Sequence, residues 1–148
     1  MKYTHTNINS DDWENLSRFY QDVFECKVVP PLRDLNGDWF EKVTGVKGAS
    51  VKGVHLALPG YDENGPTLEI FTHSTKTPGG PLKINENGFA HIAIAVDDVK
   101  ETYNKVINHG GSACGEIVTQ YYPKVGKTLT FVYAKDPDGN IIELQKWT

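Results

Sequence analysis

Apolar residues recur at Trp13, Leu16, Tyr20, Val23 and Phe24, a spacing that sets them on one stripe of a helix. Ser10 or Asp11 supplies the N-cap, and the extended run YTHTNINS leads into it. The same plan returns later in the chain. FAHIAIAV alternates as a strand, Asp97 or Asp98 offers a cap, and Val99, Tyr103, Val106 and Ile107 form a second stripe that closes at Gly110 and Gly111. Strand-like segments follow each helix: CKVVPPL, SVKGVHLALP and PTLEIFTH in the first half, then SACGEIV, KTLTFVYAKD and NIIELQKW in the second. Each half therefore predicts β, α, β, β, β, and the chain falls in the α+β class. DPDGN, with Pro137 presetting φ and Gly139 free to take positive φ, predicts a hairpin between the last two strands. STKTPGGPLKINEN reads as a linker, so a single domain over 1–148 divides into module one at about 1–73, a linker at about 74–87 and module two at about 88–148.

Strand alternation assigns faces. His91 shares a face with Ala93 and Ala95, whereas Ile92, Ile94 and Val96 point the other way. The bulky face suits packing on helices; the small one leaves room for a cavity. In the first strand His5, Asn7 and Asn9 share a polar face opposite Ile8. Glu69 lies with Thr67 and Phe71, and Glu143 with Ile141 and Gln145, both inside mostly apolar strands. Burying a carboxylate costs several kcal/mol, to order of magnitude, unless it is paired or binds a cation. Taken singly, a strand histidine is usually a satisfied or surface ring, and a strand glutamate usually faces water. The repeat changes that weighting. His5 and His91 occupy equivalent places in the first strands, and Glu69 and Glu143 in the last strands. Two imidazoles and two carboxylates, if gathered, suit a divalent ion such as Zn, Ni, Co, Mn or Fe.

Charge narrows the partners. The 15 basic and 19 acidic residues give a net charge of −4, spread without blocks, which offers no footprint for nucleic acid or an anionic membrane. A small-molecule ligand fits better. Cys26 and Cys114 form no paired motif, MKYTHTNINS lacks the apolar core of a signal peptide, and no apolar run approaches a membrane span, so the cytoplasm is expected. His73 and His109 read as structural or exposed, while His55 faces either the cavity or the opposite surface. Trp39, Phe40, Phe71, Tyr121, Tyr122 and Tyr133 are aromatic candidates for a pocket, with core packing the commoner role. Lys124 and Lys127 flank a short loop that is either a cover over the site or simply solvated.

With THTNINSDDWENLSRFYQDVF, LEIF, FAHIAIAVDDV and YAKDPDGNIIELQ in this order, the chain resembles the vicinal oxygen chelate superfamily, the glyoxalase, bleomycin-resistance and extradiol dioxygenase group. The resemblance spans essentially the whole chain, and DPDGNIIEL is its most specific part. It implies two βαβββ modules forming a half-open eight-stranded barrel, with a divalent ion bound by His5, Glu69, His91 and Glu143. Extradiol dioxygenases of the group lack a carboxylate at the place of Glu69, whereas bacterial glyoxalase I has the combination seen here. Asn9 stands where glyoxalase I carries an arginine for the glutathione carboxylate, which leaves glutathione dependence open.

The resemblance thus implies a metal-dependent glyoxalase-like lyase, isomerase or epimerase. It would act on a small substrate with vicinal oxygens through an enediolate. Glu143 is the first choice as proton-transferring base and Glu69 the second, with Asn7, Asn9, His55, Phe71 and Tyr133 as substrate-binding residues. A homodimer is expected. The alternatives are a metal-dependent dioxygenase and a metal-free protein that binds a small molecule such as an antibiotic.

Overall fold

Leu16, Phe19, Tyr20, Val23 and Phe24 are buried along one side of the first helix in the computed structural model, which describes residues 1–77, 79–80 and 82–148. The chain divides into two compact units, Met1–Gly79 and Gly80–Thr148. Pro78 and Pro81, within the expected linker, lie outside the described residues.

In the first unit β1 (His5–Asn9) leads to α1 (Trp13–Phe24), followed by β2 (Lys27–Leu35), α2 (Asp38–Thr44), β3 (Val51–Ala57) and β4 (Thr67–His73). The helix cap falls later than expected. Asp12, not Ser10 or Asp11, accepts the Asn15 amide at 3.0 Å, because the buried Ser10 hydroxyl is already taken by the Asp12 amide at 3.0 Å. The sheet order is β1-β4-β3-β2, with β1 parallel to β4 and the other pairs antiparallel. Ile8, Val54, Leu56, Leu68 and Ile70 are buried on one face, the face on which α1 packs.

The second helix of this unit, α2, has no counterpart in the expected β, α, β, β, β plan. It is seven residues long, bracketed by Gly37 and Gly45 at positive φ, and buries only Phe40. So short an element shows too little periodicity to stand out in sequence. Its role is in the packing: Phe40 joins Ala49, Val51 and Phe71 in a buried cluster, with Leu35 against it, and closes one end of the face opposite α1. Gly53 makes this cluster possible. A Cβ there would lie 2.0 Å from the Ile70 carbonyl oxygen and 2.4 Å from Cδ1 of Phe71.

In the second unit β5 (Ile92–Ala95) precedes α3 (Val99–Asn108), then β6 (Ser112–Ala113), β7 (Val118–Tyr122), β8 (Lys127–Lys135) and β9 (Ile141–Trp147). Asp98 caps α3 by accepting the Glu101 amide at 2.8 Å. The sheet runs β5-β9-β8-β6, and β7 also pairs with β8. Nine strands are thus present among the described residues where eight were expected. The extra one comes from a break. β6 pairs with Ala134 and Lys135, β7 with residues 127–131, so the two lie end to end along one edge of β8. The amides of Cys114 and Gly115 both turn to the Tyr133 carbonyl, at 3.3 and 3.2 Å, and the chain leaves the edge there.

The predicted hairpin joins β8 to β9. The buried carboxylate of Asp136 accepts the amides of Asp138 and Asn140 at 3.0 and 2.9 Å, and Gly139 takes φ of 88°. No helix among the described residues is long and apolar enough to cross a membrane.

Candidate functional site

The face of the first sheet turned away from α1 carries the polar residues singled out from the sequence. Glu69 stands at the centre of β4, opposite Asn7 on β1 and His55 on β3. Residues directly opposite share a face, so register alone brings these three together. His55 Nε2 lies 2.6 Å from Oε1 of Glu69, His5 Nε2 lies 3.3 Å from Oε2, and the Asn7 side-chain amide donates to Oε2 at 3.4 Å. The Glu69 side chain is only 13% exposed, so these groups replace most of its water.

Burial holds the His55 ring below the ordinary imidazole pKa; Glu69 opposes this, and the charges of Arg33 and His5 reinforce it. A neutral ring needs one donor and one acceptor nitrogen. Facing a carboxylate, Nε2 donates, and Nδ1 then accepts the Thr67 hydroxyl 3.2 Å away. His55, for which the sequence left two faces open, therefore belongs to the Glu69 face. The His5 ring meets it edge-on at 5.9 Å.

The second unit repeats the construction with different identities. Glu143 on β9 stands between Ala93 on β5 and Tyr133 on β8. His91, just ahead of β5, places Nε2 3.0 Å from Oε2 of Glu143. Tyr133 occupies the place that His55 holds in the first unit. Its hydroxyl pKa is raised by burial first, then by the charge of Glu143 and a hydrogen bond to it, so the phenol stays a donor toward the carboxylate. Its ring lies 5.1 Å from that of His91.

Other expected residues fall elsewhere. Phe71, expected to contact substrate, is buried in the cluster with Phe40 and touches the site only through its edge, 6.1 Å from the His55 ring. It shares the Glu69 face, but α2 covers that end of the sheet. Asn9 is exposed, paired with Phe71 one step beyond the Asn7–Glu69 row. His109 ends α3 and its Nδ1 donates to the Lys105 carbonyl at 2.8 Å, a structural role. Lys124 and Lys127 are exposed around a tight turn in which the Val125 and Gly126 amides return to the Tyr122 carbonyl. Phe40 is core and Trp39 is exposed.

Two residues on the Glu143 face, Phe131 and Trp147, were not singled out from sequence, whereas alternation already set Gln145 there. Gln145 and Trp147 follow Glu143 at intervals of two, and Phe131 stands opposite Gln145 on β8. Trp147 meets the Tyr122 ring at 5.4 Å, and Phe131 meets Tyr133 at 6.2 Å, which gives this face an aromatic stretch beside the carboxylate. Period-two counting outward from Glu143 and Tyr133 would have found them.

Each unit thus offers an imidazole nitrogen and a carboxylate oxygen at 3.3 or 3.0 Å, and the first unit adds the His55 nitrogen at 2.6 Å from the other oxygen of Glu69. Two neighbouring ligand atoms bonded at roughly 2.1 Å to one octahedral ion sit about 3 Å apart, so either pair fits adjacent positions on a divalent ion. Among the described residues, no three or more His, Cys, Asp or Glu side chains are gathered so as to hold an ion.

A family model described as Glyoxalase/Bleomycin resistance protein/Dioxygenase superfamily matches residues 2–144. A probable lactoylglutathione lyase of Synechocystis sp. is 28% identical over 141 residues, covering 95% of this chain and 91% of that protein. A lactoylglutathione lyase of Neisseria meningitidis is 29% identical over 144 residues, 97% of this chain and 88% of that protein. The crystal structure of a glyoxalase family protein from Bacillus cereus matches with a TM-score of 0.81 at 19% identity, covering 99% of this chain and 94% of that one, which speaks to the fold alone.

Proposed function

The chain belongs to the Glyoxalase/Bleomycin resistance protein/Dioxygenase superfamily, and on that premise we propose that it is a metal-dependent glyoxalase-like enzyme, a lyase or isomerase acting on a small substrate with vicinal oxygens. The observation that carries this reading is the repeated pair: His5 on Glu69 in one unit and His91 on Glu143 in the other, each at ligand spacing. His5, Glu69, His91 and Glu143 are the proposed ligands. Relatives named lactoylglutathione lyase, at 28% and 29% identity, support a glyoxalase-type reaction. Held by these side chains, a divalent ion would supply Lewis-acid polarisation of a substrate carbonyl.

The chain's own residues divide the remaining work. Glu69 is enclosed by His55, His5 and Asn7, three groups that occupy its oxygens. Glu143 has fewer such partners, His91 and the Tyr133 hydroxyl, and is the better placed of the two to take a proton from carbon. Tyr133 holds that carboxylate in position and keeps its own proton. Asn7, on the exposed edge of the Glu69 row, is a donor for a substrate oxygen.

Elemental analysis of the purified protein tests the reading. About one divalent ion per site is expected, with loss of the ion in both His5→Ala and His91→Ala. A protein that takes up no Zn, Ni, Co, Mn or Fe even after soaking rules the reading out.

A further inference from the structure

We propose that Arg33 is an anion-recognition residue of this site, and that the substrate carries a carboxylate at a distance from its vicinal oxygens. This rests on the reading that the Glu69 face receives the substrate. Arg33 pairs with Gly53 across the β2–β3 ladder, and Val29 pairs with His55. Between them β2 carries two more residues than β3, around Pro30 and Pro31, so the strand resumes with the same parity. Arg33 is therefore on the face of His55 and Glu69. The irregularity hides this in the sequence, where simple alternation cannot be carried through the two prolines.

The surroundings leave the guanidinium available. The residue opposite is glycine, and the space over it is filled by the apolar Phe71 ring rather than by a charged group. One N–H donates to the Pro31 carbonyl, which anchors the head group and leaves further donors in a planar fork suited to a carboxylate. Among the described residues no carboxylate forms an ion pair with Arg33. Its neighbour Asp34 lies on the other face, 3.8 Å from Lys52. Along the four strands, the side chains on the site face with permanent charge are Lys27, Arg33 and Glu69, and Glu69 is already held by His55. The face thus carries two cations without acidic partners.

Titration calorimetry with two probes tests this: 2-oxoglutarate and 2-oxopentanoate share a chain length and a 2-oxo acid head, and differ in the distal carboxylate. The protein as purified should bind the diacid about tenfold more tightly, the scale of one charge-assisted pair. Arg33→Gln should abolish that preference by weakening the diacid alone. Arg33→Lys, which keeps the charge and loses the fork, should retain a smaller preference. Equal affinities in the wild type, a preference that survives Arg33→Gln, or binding of neither probe would overturn the assignment. The metal reading fails separately, on absence of an ion by elemental analysis, so the two failures are told apart.

Discussion

His55 Nε2 lies 2.6 Å from Oε1 of Glu69, closer than the His5 contact of 3.3 Å to the other oxygen of the same carboxylate. The pair sits on adjacent strands in direct register, with side chains 17% and 13% exposed. Replacing His55 by leucine removes the principal donor from a largely buried carboxylate. A loss of about 1–3 kcal/mol in unfolding free energy is expected, read from the urea midpoint at unchanged m value. An unchanged midpoint would show that the contact contributes nothing.

Glu143→Gln keeps the size and the hydrogen-bonding oxygen of the side chain but cannot take up a proton. The fold should persist by circular dichroism, while solvent deuterium exchange into an α-hydroxy-ketone substrate should fall by about a hundredfold or more. Tyr133→Phe, which only releases the carboxylate from its donor, should cost less. Exchange at the wild-type rate in Glu143→Gln would assign the base elsewhere.

Gly53→Ala sets a methyl group 2.0 Å from the Ile70 carbonyl oxygen and 2.4 Å from Phe71, both in packed structure. Destabilisation of about 1–3 kcal/mol or more follows from such overpacking. At Gly115 an added Cβ meets nothing within 4 Å, and Gly115→Ala serves as the control. Thermal melts of the two variants should separate clearly.

The two cysteines should differ sharply in reactivity. Burial pushes the Cys26 thiol up from 9.0 to about 11, whereas Cys114 is exposed. In the native protein a thiol reagent at pH 8 should modify Cys114 and spare Cys26, with peptide mapping as the readout. The linkage has a definite sign. Because the folded state holds the Cys26 proton more tightly, its contribution is complete below pH 9 and is lost as pH rises toward 11. A shift of that size corresponds to about 2–3 kcal/mol. Cys26→Ala should flatten this alkaline decline in stability; an unchanged slope would refute it.

Much of this protein was legible in the order of its residues. The helical stripes of α1 and α3, the DPDGN hairpin and the equivalent strand places of His5 with His91 and of Glu69 with Glu143 follow from local periodicity and from repetition of one plan. Such patterns survive in sequence because each is set by neighbours within a few positions. Tertiary structure decided the rest. Which face His55 takes, why Phe71 is core rather than lining, and how Arg33 returns to the Glu69 face depend on ladder register, on the cover supplied by α2 and on an irregularity at two prolines. Those relations join residues far apart in the chain, and strand alternation fixes a face only where the pairing runs unbroken.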